Sequence, residues 1–131
     1  MGRVDVKDAV KSILEDLSVF YKIYTEPTDV EKEKSFPIAW IYLSGENITD
    51  GDISYTNYMR NITLEITVGV KHQSVKSIDL DVLIDRVFEA MKTNYTLTNT
   101  VINLTPLSVL TDRGMFHPYA FASLTYELQV R

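Results

Sequence analysis

The sequence predicts an α+β protein: a mixed, mainly antiparallel sheet of about five strands with two α-helices packed on one face, in the order α-β-β-β-α-β-β. Three observations carry this. Two segments repeat apolar residues at helical spacing, and five others alternate, or run apolar, over the length of a strand. Two helices are also too few to cover both faces of such a sheet, so one face is expected to stay polar. With 131 residues the whole chain, 1–131, is expected to form a single domain.

The first helix is expected from Val4 to Val19, where Val6, Ala9, Val10, Ile13, Leu14 and Leu17 form one stripe. Lys7, Asp8, Lys11, Glu15 and Asp16 fall on the other side. Phe20 to Thr25 turns aromatic and β-branched, a short strand. Glu26 to Ser35, with Pro27 and alternating Glu and Lys, reads as a solvated loop. Phe36 to Leu43 is the most hydrophobic run, apolar on both faces, as in a strand that is central or covered by a neighbour. Ser44 to Asn57 then carries Gly45, Glu46, Asp50, Gly51 and Asp52 and no base, and reads as a long acidic excursion between strands.

Tyr58 to Val70 alternates, with Ile62, Leu64, Ile66, Val68 and Val70 on one face and Thr63, Glu65 and Thr67 on the other. Helical period returns from Ile78 to Lys92, with Ser77 as the expected N-cap and acidic residues in the first turn. Two strands close the chain, Val101 to Leu110 and Phe121 to Val130, joined by a loop holding Asp112, Arg113, Gly114 and Pro118. The last strand points Ala122, Leu124, Tyr126, Leu128 and Val130 inward, and Ser123, Thr125, Glu127 and Gln129 outward. Trp40, Ile66, Phe88 and Leu124 are expected to be packing residues.

Composition narrows function. Hydrophobic residues make up 45% and charged ones 24%, with 5 Gly and 4 Pro, which excludes collagen-like, low-complexity and wholly disordered chains. There is no Cys, hence neither a disulfide framework nor a thiolate metal site. A net charge of −5 disfavours a protein that grips phosphate backbones. No apolar run reaches the ~18–20 residues of a membrane span, and the polar start lacks a signal peptide's apolar stretch, so residence in a cytoplasm is expected. The Asn-x-Thr triplets at Asn47, Asn61, Asn94 and Asn103 are then chance.

No chemistry-bearing motif stands out. His72 and His117 lie beside loops without metal-ligand spacing, and neither a Gly-rich phosphate loop nor a nucleophile elbow is present. Glu46, Asp50 and Asp52 offer oxygens to a hard cation, but their spacing is not that of an EF-hand, and a solvated loop explains them. Asp112-Arg113-Gly114 reads as a turn. Loop aromatics beside Asp, Arg and Met match the composition of buried interface centres. The interface candidates are therefore Glu46, Asp50, Asp52, Tyr55, Arg113, Met115, Phe116 and Tyr119. Neither an enzyme nor a cofactor or metal site is expected.

The run Phe36-Pro37-Ile38-Ala39-Trp40-Ile41-Tyr42-Leu43-Ser44-Gly45 and its acidic sequel resemble the phage minor tail protein U family, the lambda-type tail terminators. The strand from Tyr58 to Val70, the helix near Ile78 to Lys92 and the closing Ser123-Leu124-Thr125-Tyr126-Glu127-Leu128 are similar to that family too, so the likeness covers nearly the whole chain in order. The loop Thr111 to Tyr119 departs from it, being more apolar than the family's acidic stretch. The resemblance implies a virion protein at the head-proximal end of the tail, assembled in the host cytoplasm. It implies a hexameric ring that binds the end of the tail tube, stops its growth and offers a surface to a head–tail connector protein. DNA would pass through the hole without specific binding. Thr63, Glu65, Thr67, Thr125, Glu127 and Gln129 are the candidates for the lumen wall. Another head–tail joining ring (a stopper or tail-completion protein), a small-ligand-binding α+β domain and an Asp/His hydrolase remain as alternatives.

Overall fold

The computed structural model describes residues 3–26, 36–50, 58–71, 79–97, 101, 103–112 and 119–130. The elements follow the expected order: α1 (Arg3–Asp16), β1 (Lys22–Tyr24), β2 (Ile38–Asp50), β3 (Tyr58–Lys71), α2 (Leu80–Thr93), β4 (Asn103–Thr111) and β5 (Tyr119–Val130). The strands form one sheet in the order β1-β2-β3-β5-β4. Only β1–β2 is parallel, and the other three pairs are antiparallel.

Both helices lie on the same face of the sheet. α1 packs on β1 and β2, α2 on β3 and β5, and the helices touch each other. Val6, Val10, Ile13 and Leu14 of α1 and Leu83, Val87 and Met91 of α2 meet Ala39, Ile41, Leu43, Ile62, Leu64, Ile66, Val68, Leu124, Tyr126 and Leu128 in one core. Each strand contributes alternate residues because successive side chains point to opposite faces.

The helix ends are set by local chemistry. After Asp16 the chain leaves α1 through Ser18, which adopts φ 56°, while Leu17 and Ser18 donate back to the Leu14 and Glu15 carbonyls. Asp79, not Ser77, caps α2, its carboxylate accepting from Asp81 N at 2.9 Å. Ser77 lies outside the described residues. Asn94 closes α2, with both its backbone N–H and its side-chain amide donating to the Ala90 carbonyl. Leu97 follows at φ 47°, a conformation uncommon for Leu, and is held there fully buried.

The structure corrects two further expectations. Ser44 does not begin a long excursion: the chain bulges between Leu43 and Glu46, and the β2–β3 ladder then resumes from Glu46↔Ile62 to Asp50↔Tyr58. The turn-like Ser44-Gly45 pair marks that β-bulge, where an extra residue bends the strand without ending it. Trp40 and Phe88 do not sit in the core. Trp40 has the opposite parity to Ala39 and Ile41 and lies partly exposed on the other face, and Phe88 is 36% exposed at the edge of α2. Ile66 and Leu124 are fully buried, as expected.

Candidate functional site

Among the described residues no helix covers the second face of the sheet; this helix-free face holds the polar candidates, and register brings them together. Thr63 pairs with Glu127, Glu65 with Thr125, Thr67 with Ser123, and Asn61 with Gln129. All eight are partly exposed, while the residues between them, Ile62, Leu64 and Ile66 on β3 and Leu124, Tyr126 and Leu128 on β5, are buried. The hydroxyls of Thr67 and Ser123 are 3.1 Å apart, a cross-strand hydrogen bond. β4 extends the surface with Asn103 opposite Gln129, Thr105 opposite Glu127 and Ser108 opposite Thr125. This region carries two carboxylates, Glu65 and Glu127, on diagonally adjacent rows, and no base.

The same face changes character toward the start of β2. Tyr24 stacks on Trp40 at 6.2 Å, Trp40 meets Phe121 at 6.2 Å, Phe121 stacks on Tyr119 at 6.2 Å, and Tyr119 meets Phe36 at 5.4 Å. The chain of rings thus crosses from β1 to β5. Lys22 lies 4.9 Å over the Tyr24 ring and Lys71 5.6 Å over Tyr119, so this end is cationic and aromatic. Gly69 makes the crossing possible. A Cβ there would stand 2.7 Å from Phe121 Cε1 and 3.4 Å from Trp40 Cζ3. Asp112 fixes the adjoining strand ends: its carboxylate accepts from Phe121 N at 3.1 Å, and its own N–H donates to the Phe121 carbonyl.

The interface candidates divide. Tyr119 belongs to β5, paired with Lys71, and joins the aromatic chain. Glu46 and Asp50 lie in the far arm of β2, opposite Ile62 and Tyr58. Asp52, Tyr55, Arg113, Met115 and Phe116 lie outside the described residues. Among the described residues, no group of three or more His, Asp or Glu is placed to hold a metal ion. No helix there is long and apolar enough to cross a membrane.

Sequence reasoning missed two features. On the helix side, Phe88, Lys92 and Tyr95 face Asn103, Leu104, Pro106 and Tyr126 across a cavity of about 430 Å³. The Tyr126 hydroxyl is buried without a hydrogen-bond partner among the described residues, and burial pushes its phenol up to about 12. The second feature is β4 itself. Eight of its nine residues are exposed, among them Leu107 (54%), Val109 (42%) and Leu110 (67%). Its lack of alternation hid this: a bulge between Pro106 and Ser108 shifts the parity midway.

The fold and these surfaces define an α+β protein of one open sheet, helices on one face and a two-toned surface on the other. Comparison with known proteins adds little. No family model and no curated protein matches the chain. Among solved structures it is similar to a chain of the "Virion of native gene transfer agent (GTA) particle", at 12% identity and a TM-score of 0.48, over 95% of this chain and 92% of that one. A likeness of that depth assigns no role.

Proposed function

We propose that this chain is a structural, non-enzymatic phage protein, a tail terminator. It forms a ring on the end of the tail tube, stops tube growth and offers the surface that joins the head. The supporting observation is the helix-free face from Asn61 to Thr67 and Ser123 to Gln129: a continuous hydroxyl, amide and carboxylate surface without a base. In a ring this region suits part of the lumen, where a stretch of wall without cations makes no phosphate contact and lets DNA pass. The sequence resemblance to lambda-type terminators points the same way, and a stopper or tail-completion ring would use the surface alike.

Native mass spectrometry and negative-stain imaging of the full chain test the reading. A ring near six times 15.0 kDa is the expected result, and a monomer at every concentration overturns it. Glu65→Lys with Glu127→Lys should leave rings intact yet give salt-sensitive DNA retention and slower ejection. Unchanged ejection removes these carboxylates from the lumen. The cavity beside Tyr126 favours a second reading, a small-ligand-binding domain, whose signature is a monomer with a ligand-dependent melting shift.

A further inference from the structure

Among the described residues the sheet has two long unpaired edges. β1 covers β2 only from Ile38 to Trp40, so β2 from Ile41 to Asp50 has no strand beyond it among the described residues. On the opposite side, β4 from Asn103 to Thr111 has none either. Edges of that length are templates for pairing with another chain unless they are blunted or covered. β4 carries no charged residue and exposes three large aliphatic side chains, the opposite of a protected edge.

The two edges match each other. Leu43, Leu64, Tyr126 and Pro106 form one row across the sheet, and both bulges begin in it, at Leu43 on β2 and at Pro106 on β4. The two bulges leave that row in opposite directions, Ser44-Gly45 beside Thr63 and Leu107 between Tyr126 and Thr125, so the edges bend at adjacent heights. Direction also fits: three successive antiparallel pairings make β4 run opposite to β2, so a copy placed alongside in the same sense offers β2 antiparallel to β4. Charge fits as well. The β2 sequence holds Glu46 and Asp50, and β4 holds no acidic residue that would repel an acidic strand. One β2 carbonyl is already engaged, Leu43 O accepting from Arg3 at 2.7 Å, so the free ladder lies on either side of it.

We propose that β2 of one copy adds to β4 of the next, joining the sheets edge to edge into a continuous wall with all helix-free faces on one side. Such a contact is heterologous and closes into a ring when the rotation between copies allows. The inference rests on the ring reading and names the surfaces that build the ring.

The absence of cysteine allows a direct test in the full chain. Tyr42→Cys is combined in turn with Thr105→Cys, Ser108→Cys and Leu110→Cys, three positions along β4 that cover neighbouring registers. Mild oxidation should give a ladder of covalent multimers, ending at the ring, for at least one pair, and no ladder for any single variant. Leu110→Lys, at a side chain 67% exposed, should keep the melting temperature and reduce ring formation by roughly tenfold or more at fixed concentration. Rings that form normally in Leu110→Lys, with no ladder from any pair, overturn the inference while the ring reading stands. Efficient covalent dimers from Ser108→Cys alone overturn it in favour of β4 against β4. A wild type that is monomeric throughout overturns the ring reading itself, and this inference with it.

Discussion

The two faces of one sheet obey the same alternation and reach opposite outcomes. On the helix-covered face Ile62, Leu64, Ile66, Val68, Leu124 and Leu128 are fully buried, each surrounded by α1, α2 or a neighbouring strand. On the helix-free face the intervening residues of β3 and β5 divide into an aromatic, lysine-flanked end and a threonine–glutamate end. The first face does one thing, removing apolar area from water, worth roughly 25 cal/mol per Å². The second has no helix to satisfy, so its residues are free to answer to something outside the fold. Stability should therefore concentrate on the helix-covered face, with little of it resting on the threonine–glutamate end of the other.

The sharpest way to break this comparison is truncation on each face. Leu64→Ala and Leu124→Ala, at fully buried sites, should each cost about 2–5 kcal/mol, read from urea midpoints. Thr125→Ala, on the row beside them but facing outward, should stay within about 0.5 kcal/mol. Trp40→Ala should fall between, near 1–3 kcal/mol, because it loses two ring contacts worth ~0.5–1.5 kcal/mol each. A core-sized loss at Thr125 would mean that the open face holds the fold together after all.

How much of this was legible in the sequence follows from the same alternation. β5, and β3 from Asn61 to Val68, keep period two, so the residues of both faces could be assigned before any coordinates, whereas the pairing of Thr63, Glu65 and Thr67 with the outward row of β5 is given by the register. β2 and β4 resisted, each for a physical reason. β2 is apolar on both sides, because its second side carries Trp40 and Tyr42 into the ring cluster and its margin, and periodicity cannot say which side meets the helices. Its Ser44-Gly45 bulge uses the residues of a turn. β4 changes parity at its own bulge, so Val109 and Leu110 lost the pattern that would have flagged them. Ser18 and Leu97 take left-handed conformations without the Gly or Asn that would announce them. The ring cluster was not legible, because Tyr24, Trp40 and Phe121 meet through a crossover order that no local signal encodes.

Gly69 sharpens the comparison within the open face. It is the only residue on the outward row of β3 without a side chain, and the Phe121 ring lies where its Cβ would be, 2.7 Å away. Gly69→Ala should cost about 1–3 kcal/mol by overpacking, although Ala suits a strand better than Gly. Combining it with Phe121→Leu should return part of that loss, so that a double-mutant cycle reports positive coupling. Additive losses would show that the ring merely lies near Gly69 and does not depend on it.

The smallest effect belongs to the covered face, at its single polar atom of note. The Tyr126 hydroxyl is buried beside the Phe88–Lys92 cavity with no hydrogen-bond partner among the described residues. A buried donor left unpaired costs desolvation that no contact returns, so Tyr126→Phe should leave the protein as stable or about 1 kcal/mol more stable at neutral pH. Alkaline pH gives the second readout. The folded state raises this phenol from 10.0 to about 12 because burial disfavours phenolate, so the fold is favoured by the neutral form. That contribution is whole below pH 10 and is lost as the pH climbs from 10 to 12, where the unfolded chain ionises first. Wild type should therefore lose more stability than Tyr126→Phe across that window, and ultraviolet difference absorbance should show one tyrosine ionising late. A Phe variant clearly weaker than wild type at neutral pH would mean that the hydroxyl is engaged, and the helix-covered face would no longer be purely apolar in its work.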